Sequence, residues 1–485
     1  MAWDPALEAA FHPKVVAMVG ISSDARPGMR RGPSGANFII SFEQLGFKGR
    51  IHPVNPKATE IMGRKAYPSV ASIPEPVDLV VVSVPAQALP GVLEDCIAAN
   101  AKNIHVFTAG FEETGEAERI ELGHRVREIA ERGGLRIIGP NCMGLYIPES
   151  GVGSFDRLPK ESGPVAFISQ SGGHLNWFSH YGQNYGIRFS KAISFGNAYV
   201  LDSTDYLEYF ATDPDTGIIC MYLEGVKDGR KLLQQVRAIN RVKPIILWKA
   251  GLTEDGTRAV ASHTASLAGQ WGIWRGFFAQ TGAVPVQSLE EMAEMAMTFL
   301  YVKQPPGKRV SVIGLGGGTS VASADVCNRE GLDVPALTEE TQTELKKFIP
   351  IAGSSVRNPL DTGLVFRNID DLQREVELVT TDPNIDMLIV RPHLDMMSAG
   401  NSEDASQVID YLIDISRNNP HGKPVVLVFH SFGNDPKELE MRLRFQVELP
   451  GQGIPVYISL NAACRALFRL YEYHRFQKAL IAEDL

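Results

Sequence analysis

Val165-Ala166-Phe167-Ile168-Ser169-Gln170-Ser171-Gly172-Gly173-His174 is the stretch on which the reading of this chain turns. Four apolar residues in unbroken succession suit a strand covered on both faces, because a strand with one wet face alternates apolar with polar. The Ser and Gly residues that follow suit a tight loop, and helical spacing begins at His174. A strand that passes through such a loop into a helix turns backbone N–H groups and the positive end of a helix dipole outward. That arrangement seats a phosphoryl group.

Outward from this stretch the pattern recurs. Apolar runs at Val15 to Val19, Leu79 to Val84, Ile104 to Thr108, Leu135 to Ile138, Ile218 to Leu223, Ile245 to Trp248, Val310 to Leu315, Met387 to Val390 and Val425 to Phe429 each precede a helical pattern. The rhythm is βαβ, so the expected class is α/β, with parallel sheets covered by helices on both sides. Ligands in such sheets collect at the carboxyl ends of strands, which here are repeatedly Gly, Ser, Asn or Pro. Two Pro/Gly seams, one around Pro148 to Gly163 and one at Gln304-Pro305-Pro306-Gly307-Lys308, predict three domains at residues 1–150, 151–305 and 306–485.

Composition narrows the function. The chain has 485 residues, 44% hydrophobic and 21% charged, enough for about three globular domains. Forty-seven Lys and Arg against 56 Asp and Glu leave a net charge of -9, which argues against a nucleic-acid partner. No apolar run approaches the length of a membrane span, and the start, Met1-Ala2-Trp3-Asp4, lacks a basic leader, so a cytoplasmic, membrane-free protein is expected. Cys96, Cys142, Cys220, Cys327 and Cys464 are scattered and never in C-x-x-C spacing, which argues against disulfides and zinc and suits buried small hydrophobes. His174 and His180 lie six apart, off any shared helix face, and are read as structural, as is His393; no metal site is expected.

The first strand runs into Gly20-Ile21-Ser22-Ser23, a turn able to hold a phosphate, although a tight turn needs Gly and Ser for steric reasons as well. The G-x-G-x-x-G fingerprint of dinucleotide folds is absent, which disfavours a nicotinamide dehydrogenase. Further strand ends carry Val54-Asn55-Pro56-Lys57, Ser83-Val84-Pro85-Ala86, Ala109-Gly110-Phe111-Glu112-Glu113 and Ile138-Gly139-Pro140-Asn141-Cys142-Met143-Gly144. In their joint order these resemble the CoA-binding Rossmann-like domain of succinyl-CoA synthetase and its relatives. The resemblance implies that Gly20, Ser22 and Lys57 hold CoA phosphates, with Pro85 and Asn141 on the same edge.

Beyond the Ser169 loop come Met221-Tyr222-Leu223-Glu224-Gly225, Trp248-Lys249-Ala250-Gly251 and Ala261-Ser262-His263-Thr264-Ala265-Ser266-Leu267-Ala268-Gly269. This series resembles the ADP-forming acyl-CoA synthetases, over essentially the whole chain. The resemblance implies that His263 carries a phosphoryl group and that Glu224 orients it. Imidazole suits the task, being nucleophilic near neutrality and a good leaving group once protonated. Ser169, Ser171, Gly172 and Gly173 are then one phosphate-binding loop, and Gly316-Gly317-Gly318-Thr319, followed by Asn358-Pro359-Leu360-Asp361-Thr362-Gly363, resembles the family's second. Trp177 and Phe178 are candidates to shape an acyl pocket.

The sequence departs from the family at Ala265, where glycine is usual, at Gly173-His174 in place of Ala-Leu, and at Gly196-Asn197-Ala198-Tyr199, which lacks the usual acidic follow-on. These departures bear on the acyl substrate more than on the chemistry. No ATP-grasp domain and no G-x-x-x-x-G-K-[ST] loop is found. The expectation is therefore an α subunit that binds CoA and a carboxylic acid or acyl-CoA. ATP or ADP with Mg2+ would be held by a separate ATP-grasp β subunit in a hetero-oligomer. A non-catalytic CoA-binding or regulatory subunit of the same fold is the alternative, opposed by the retained His263, Glu224 and both glycine loops.

Overall fold

The chain is described by a computed structural model at residues 5–22, 35–256, 258, 271–314, 316–350, 352–363, 366, 368–392, 394, 402–429 and 435–483. It is α/β throughout, with three main sheets. The first contains β1 (Val15–Val19), β2 (Arg50–Val54), then, after a short antiparallel hairpin of β3 (Glu60–Ile61) and β4 (Arg64–Lys65), β5 (Leu79–Val82), β6 (Asn103–Val106) and β7 (Arg136–Ile138). The second contains β8 (Gly144–Tyr146), β9 (Ser162–Ser169), β10 (Phe189–Ser194), β11 (Ile218–Leu223), β12 (Ile245–Lys249) and β13 (Val284–Pro285). The third contains β14 (Val310–Gly314), β15 (Leu360–Asp361), β16 (Met387–Val390), β17 (Val425–Val428) and β18 (Val456–Tyr457).

The strand orders are β2-β1-β5-β6-β7, β13-β12-β11-β9-β10-β8 and β15-β14-β16-β17-β18. Every pair in these sheets is parallel except β8, which runs antiparallel along β10. Setting β8 aside, each sheet has one winding: an early strand with its successor on one side and all later strands on the other. The order reverses between β1 and β5, between β9 and β11, and between β14 and β16. Helices leave to opposite faces at such a point, which opens a crevice beyond the strand ends. The three crevices fall at Gly20, at Gln170 and at Gly316.

The unbroken apolar runs are strands buried along their whole length, as β1, β5, β6, β11, β16 and β17 show. Two compact units result, Met1–His180 with Arg188–Met292, and Tyr181–Ile187 with Ala293–Leu485. The first unit holds two sheets because one hydrophobic cluster runs from Val16, Met18 and Leu79 of the first to Ile168, Ile193 and Met221 of the second. The chain passes from the first sheet to the second between β7 and β8, ahead of residue 150, the two sheets share a core, and the division between the units falls within the helix Leu289–Tyr301. No helix among the described residues is long and apolar enough to cross a membrane.

Candidate functional site

At the first crevice Gly20 has φ +91°, and a Cβ there would lie 2.3 Å from Ser83 O and 2.7 Å from Val84 Cγ1. Only glycine lets the ends of β1 and β5 come so close. The turn is held by Asn55, whose Nδ2 donates to Ile21 O at 2.9 Å while its Oδ1 accepts from Lys57 N at 2.9 Å. Ser22, Lys57 and Pro85 are all exposed at this edge. Asn141 belongs elsewhere. It follows β7 at the far side of the sheet, with φ +58°, and opens into a cavity with residues of the second sheet.

That cavity, about 310 Å³, is the centre of the site. Phe107, Ala109 and Met143 supply its apolar wall, and Asn141, Gln170, Ser171, Gly172 and Gly173 its polar one. Gly172 opens the helix Gly172–Tyr181, capped by Ser171, whose Oγ accepts from His174 N at 3.3 Å. A Cβ on Gly172 would lie 2.5 Å from Met143 Cγ. Ser169 is fully buried, and its hydroxyl stays within the loop, donating to Ser171 O at 2.7 Å and accepting from Ser171 N at 3.2 Å. Trp177 and Phe178 do not line the cavity. Phe178 is in the core against Phe167 and Phe189, and Trp177 is 65% exposed.

Gln170 joins the two sides of the second crevice. Its backbone N donates to Tyr222 O at 3.0 Å, and its side-chain Oε1 accepts from Glu224 N at 2.8 Å and Gly225 N at 2.9 Å. Glu224 is thereby fixed beside the helix N-terminus and is only 4% exposed. The Tyr222 hydroxyl donates to Glu224 Oε1 at 3.1 Å, and burial, with the Glu224 charge adding to it, pushes that phenol well above its usual range. From β12, Lys249 Nζ donates to Glu224 O at 2.8 Å. Burial brings the Lys249 ammonium down to about 8, against the opposing pull of Glu224. His174 stacks edge-on to Tyr222, 4.2 Å between ring centroids, and tilts against Trp248 at 5.1 Å.

In the second unit Gly316, at φ +60°, precedes the helix Gly317–Arg329, and Gly316, Gly317 and Gly318 are exposed while Thr319 is half-buried. Thr362 N donates to Gly314 O at 3.1 Å, and the Thr362 hydroxyl donates to Glu375 Oε1 at 2.6 Å. Complete burial pushes Glu375 up to about 8.

His263 and Ala265 lie outside the described residues, as does His393. Of the other residues expected at the phosphoryl site, Ser169, Ser171, Gly172, Gly173 and Glu224 come together around one crevice. Gln170, Tyr222, Lys249 and Asn55 are additions. Each is adjacent in sequence to a motif residue or within a quoted motif, but nothing in residue type alone singled it out.

Residues 14–148 match the CoA binding domain family and residues 162–299 the succinyl-CoA ligase like flavodoxin domain family. An ADP-forming acetate–CoA ligase II subunit alpha from Pyrococcus furiosus is 35% identical over 96% of this chain and 97% of its own length. ADP-forming acetate–CoA ligase I of Archaeoglobus fulgidus is 34% identical over 99% of this chain, which spans 65% of that relative's length. Among solved structures, the dinucleotide forming acetyl-coenzyme A synthetase 1 of Ca. Korarchaeum cryptofilum, in complex with phosphate and ADP, matches with a TM-score of 0.81 at 32% identity, covering 98% of each chain. With glycine loops at the strand-end crevices and a buried glutamate at the helix start of the second, the chain belongs to the family of ADP-forming acetate–CoA ligases, at the position of their alpha subunits.

Proposed function

We propose that this chain is the acyl-transferring half of an ADP-forming acyl-CoA synthetase, interconverting carboxylic acid, CoA and ATP with acyl-CoA, ADP and phosphate. The observation that carries the reading is Glu224, buried, its backbone N–H held by Gln170, which itself lines the cavity into which a helix N-terminus opens. In the ATP-forming direction a phosphate oxygen attacks the thioester carbonyl, releasing CoA thiolate and leaving an acyl phosphate. A His263 ring nitrogen then attacks phosphorus and releases the carboxylate. The N–H groups at Gly172 and Gly173 steady the phosphoryl oxygens, and the Glu224 carboxylate steadies the imidazolium. The open edge of Gly20, Ser22, Lys57 and Pro85 takes the CoA phosphates, with Asn141 placed toward the reacting end. Phe107, Ala109 and Met143 face the acyl group.

Gly316, Gly317, Gly318 and Thr319 form a second phosphate-binding helix start, and the domain division at residues 1–150, 151–305 and 306–485 gives each of the three glycine loops its own domain. ATP or ADP with Mg2+ belongs to a separate ATP-grasp β subunit in a cytoplasmic hetero-oligomer. The alpha-subunit names of two Pyrococcus furiosus relatives, matched over 97% and 98% of their lengths, support a partner. Mixing tests it: acetyl-CoA, phosphate and ADP should yield ATP only when an ATP-grasp β subunit is added. ATP formed by this chain alone would reject the division of labour. No ATP with any such partner would favour the non-catalytic alternative.

A further inference from the structure

Strand β12 ends on Lys249, whose side chain is 5% exposed. Its Nζ donates to Glu224 O at 2.8 Å and to Ala250 O, and lies 5.5 Å from the centroid of the Trp274 ring. These contacts reach three parts of the fold: the turn carrying Glu224, the first residue after β12, and the helix Trp271–Thr281. Leu223 pairs with Lys249 in register, and Ala250 N donates to Leu223 O at 2.9 Å. The ammonium therefore closes this strand pair where its own ladder of hydrogen bonds stops. A mere filler against Trp274 would be apolar, because burying a cation costs stability unless its charge is matched. The carboxylate acting on this one is Glu224.

The geometry points to Lys249 as the positioning residue of Glu224, gripping its carbonyl oxygen and orienting its carboxylate by charge while tying together the ends of β11 and β12 and the helix Trp271–Thr281. The inference rests on the proposed role of Glu224 toward a phosphorylated imidazole. It adds a residue to which no step of that reaction assigns a part.

The test compares the full chain with Lys249→Met and Lys249→Arg, following uptake of phosphate from inorganic phosphate and acetyl-CoA. Lys249→Met should slow uptake roughly 10- to 100-fold, the scale of a slightly displaced catalytic group. Its KM for acetyl-CoA should stay at or near the wild-type value even though removing the buried ammonium lowers the melting temperature, and Lys249→Arg should regain most of the rate. The wild-type rate should fall as pH rises through about 8, where the ammonium loses its proton. Lys249→Met should lack that limb. Tyr222 on β11, Glu224 just after it and His174 on the helix Gly172–Tyr181 are the other ionisable groups at this edge, and all three remain in both variants. A wild-type rate in Lys249→Met overturns the proposal. So does equal slowing in both variants with a raised KM, the signature of packing alone. A wild-type chain that takes up no phosphate overturns the reading of Glu224 and the proposal with it, and the wild-type measurement alone tells that outcome apart from the other two.

Discussion

Gln170 does at one residue what the ends of two strands do not do for themselves. Two successive N–H groups, those of Glu224 and Gly225, point at its Oε1 beyond the last rung of the β9–β11 ladder. Gln170→Ala leaves both donors without that acceptor in a buried place, so it should cost about 1 to 3 kcal/mol in urea unfolding. It should also slow phosphate uptake by letting Glu224 drift, while a stable variant with an unchanged rate would deny Gln170 its part. Glu375 has the opposite character. Its carboxyl is buried whole, one oxygen taken by Thr362 and the other without a partner among the described residues, and its pKa is pushed from 4.5 to about 8. Between those values the folded state holds a proton that the unfolded state has released, so stability falls as pH rises, by at most about 1.4 kcal/mol per pH unit. Glu375→Gln keeps the acceptor for Thr362 and removes the titration. Its stability advantage over wild type should grow from pH 4.5 to pH 8 and then level off, as urea midpoints across that range will show. Parallel curves would mean that Glu375 stays charged in the fold.

At the scale of elements, unbroken apolar runs pick out strands buried along their length, and Val15–Val19, Ile218–Leu223 and Met387–Val390 begin and end where the sequence places them. The strands not anticipated each have a physical reason. β10 reads Phe-Ser-Lys-Ala-Ile-Ser, too polar for a buried strand, yet every residue of it is buried. Lys191 is 1% exposed because its ammonium meets Asp213 at 3.0 Å, and no pattern of residue types announces a partner 22 positions away. Lys191→Met should therefore cost about 3 to 5 kcal/mol, since it leaves Asp213 buried without its cation. A loss in urea unfolding below 1 kcal/mol would show that Asp213 finds another cation. β2 contains Pro53, which a sheet admits at its edge, and β2 is an edge strand. β8, β13, β15 and β18 are two or three residues long, too short for any period to register. The candidate site divides in the same way. Glycines and a helix start are visible because they obey local rules, whereas Gln170, Lys249 and Asn55 act through contacts that only the strand order creates.

For the whole molecule, three sheets of one winding place three glycine-bearing loops at three crevices, and the chemistry assigned to them differs with their neighbours. The first has an exposed lysine and a proline edge, suited to a long phosphorylated ligand such as CoA. The second combines a helix N-terminus with the buried Glu224 and a cavity lined by Gln170, Ser171, Gly172 and Gly173. The third offers an exposed glycine run ahead of a 13-residue helix. The central claim is that the second crevice phosphorylates a histidine, and locating the phosphate tests it most directly. The chain is incubated with acetyl-CoA and inorganic phosphate, digested at alkaline pH and mapped by mass spectrometry. The account predicts an acid-labile, base-stable phosphate on His263 that forms more slowly in Glu224→Gln, whereas phosphate on Ser262 or Thr264, or a rate indifferent to Glu224, would contradict it.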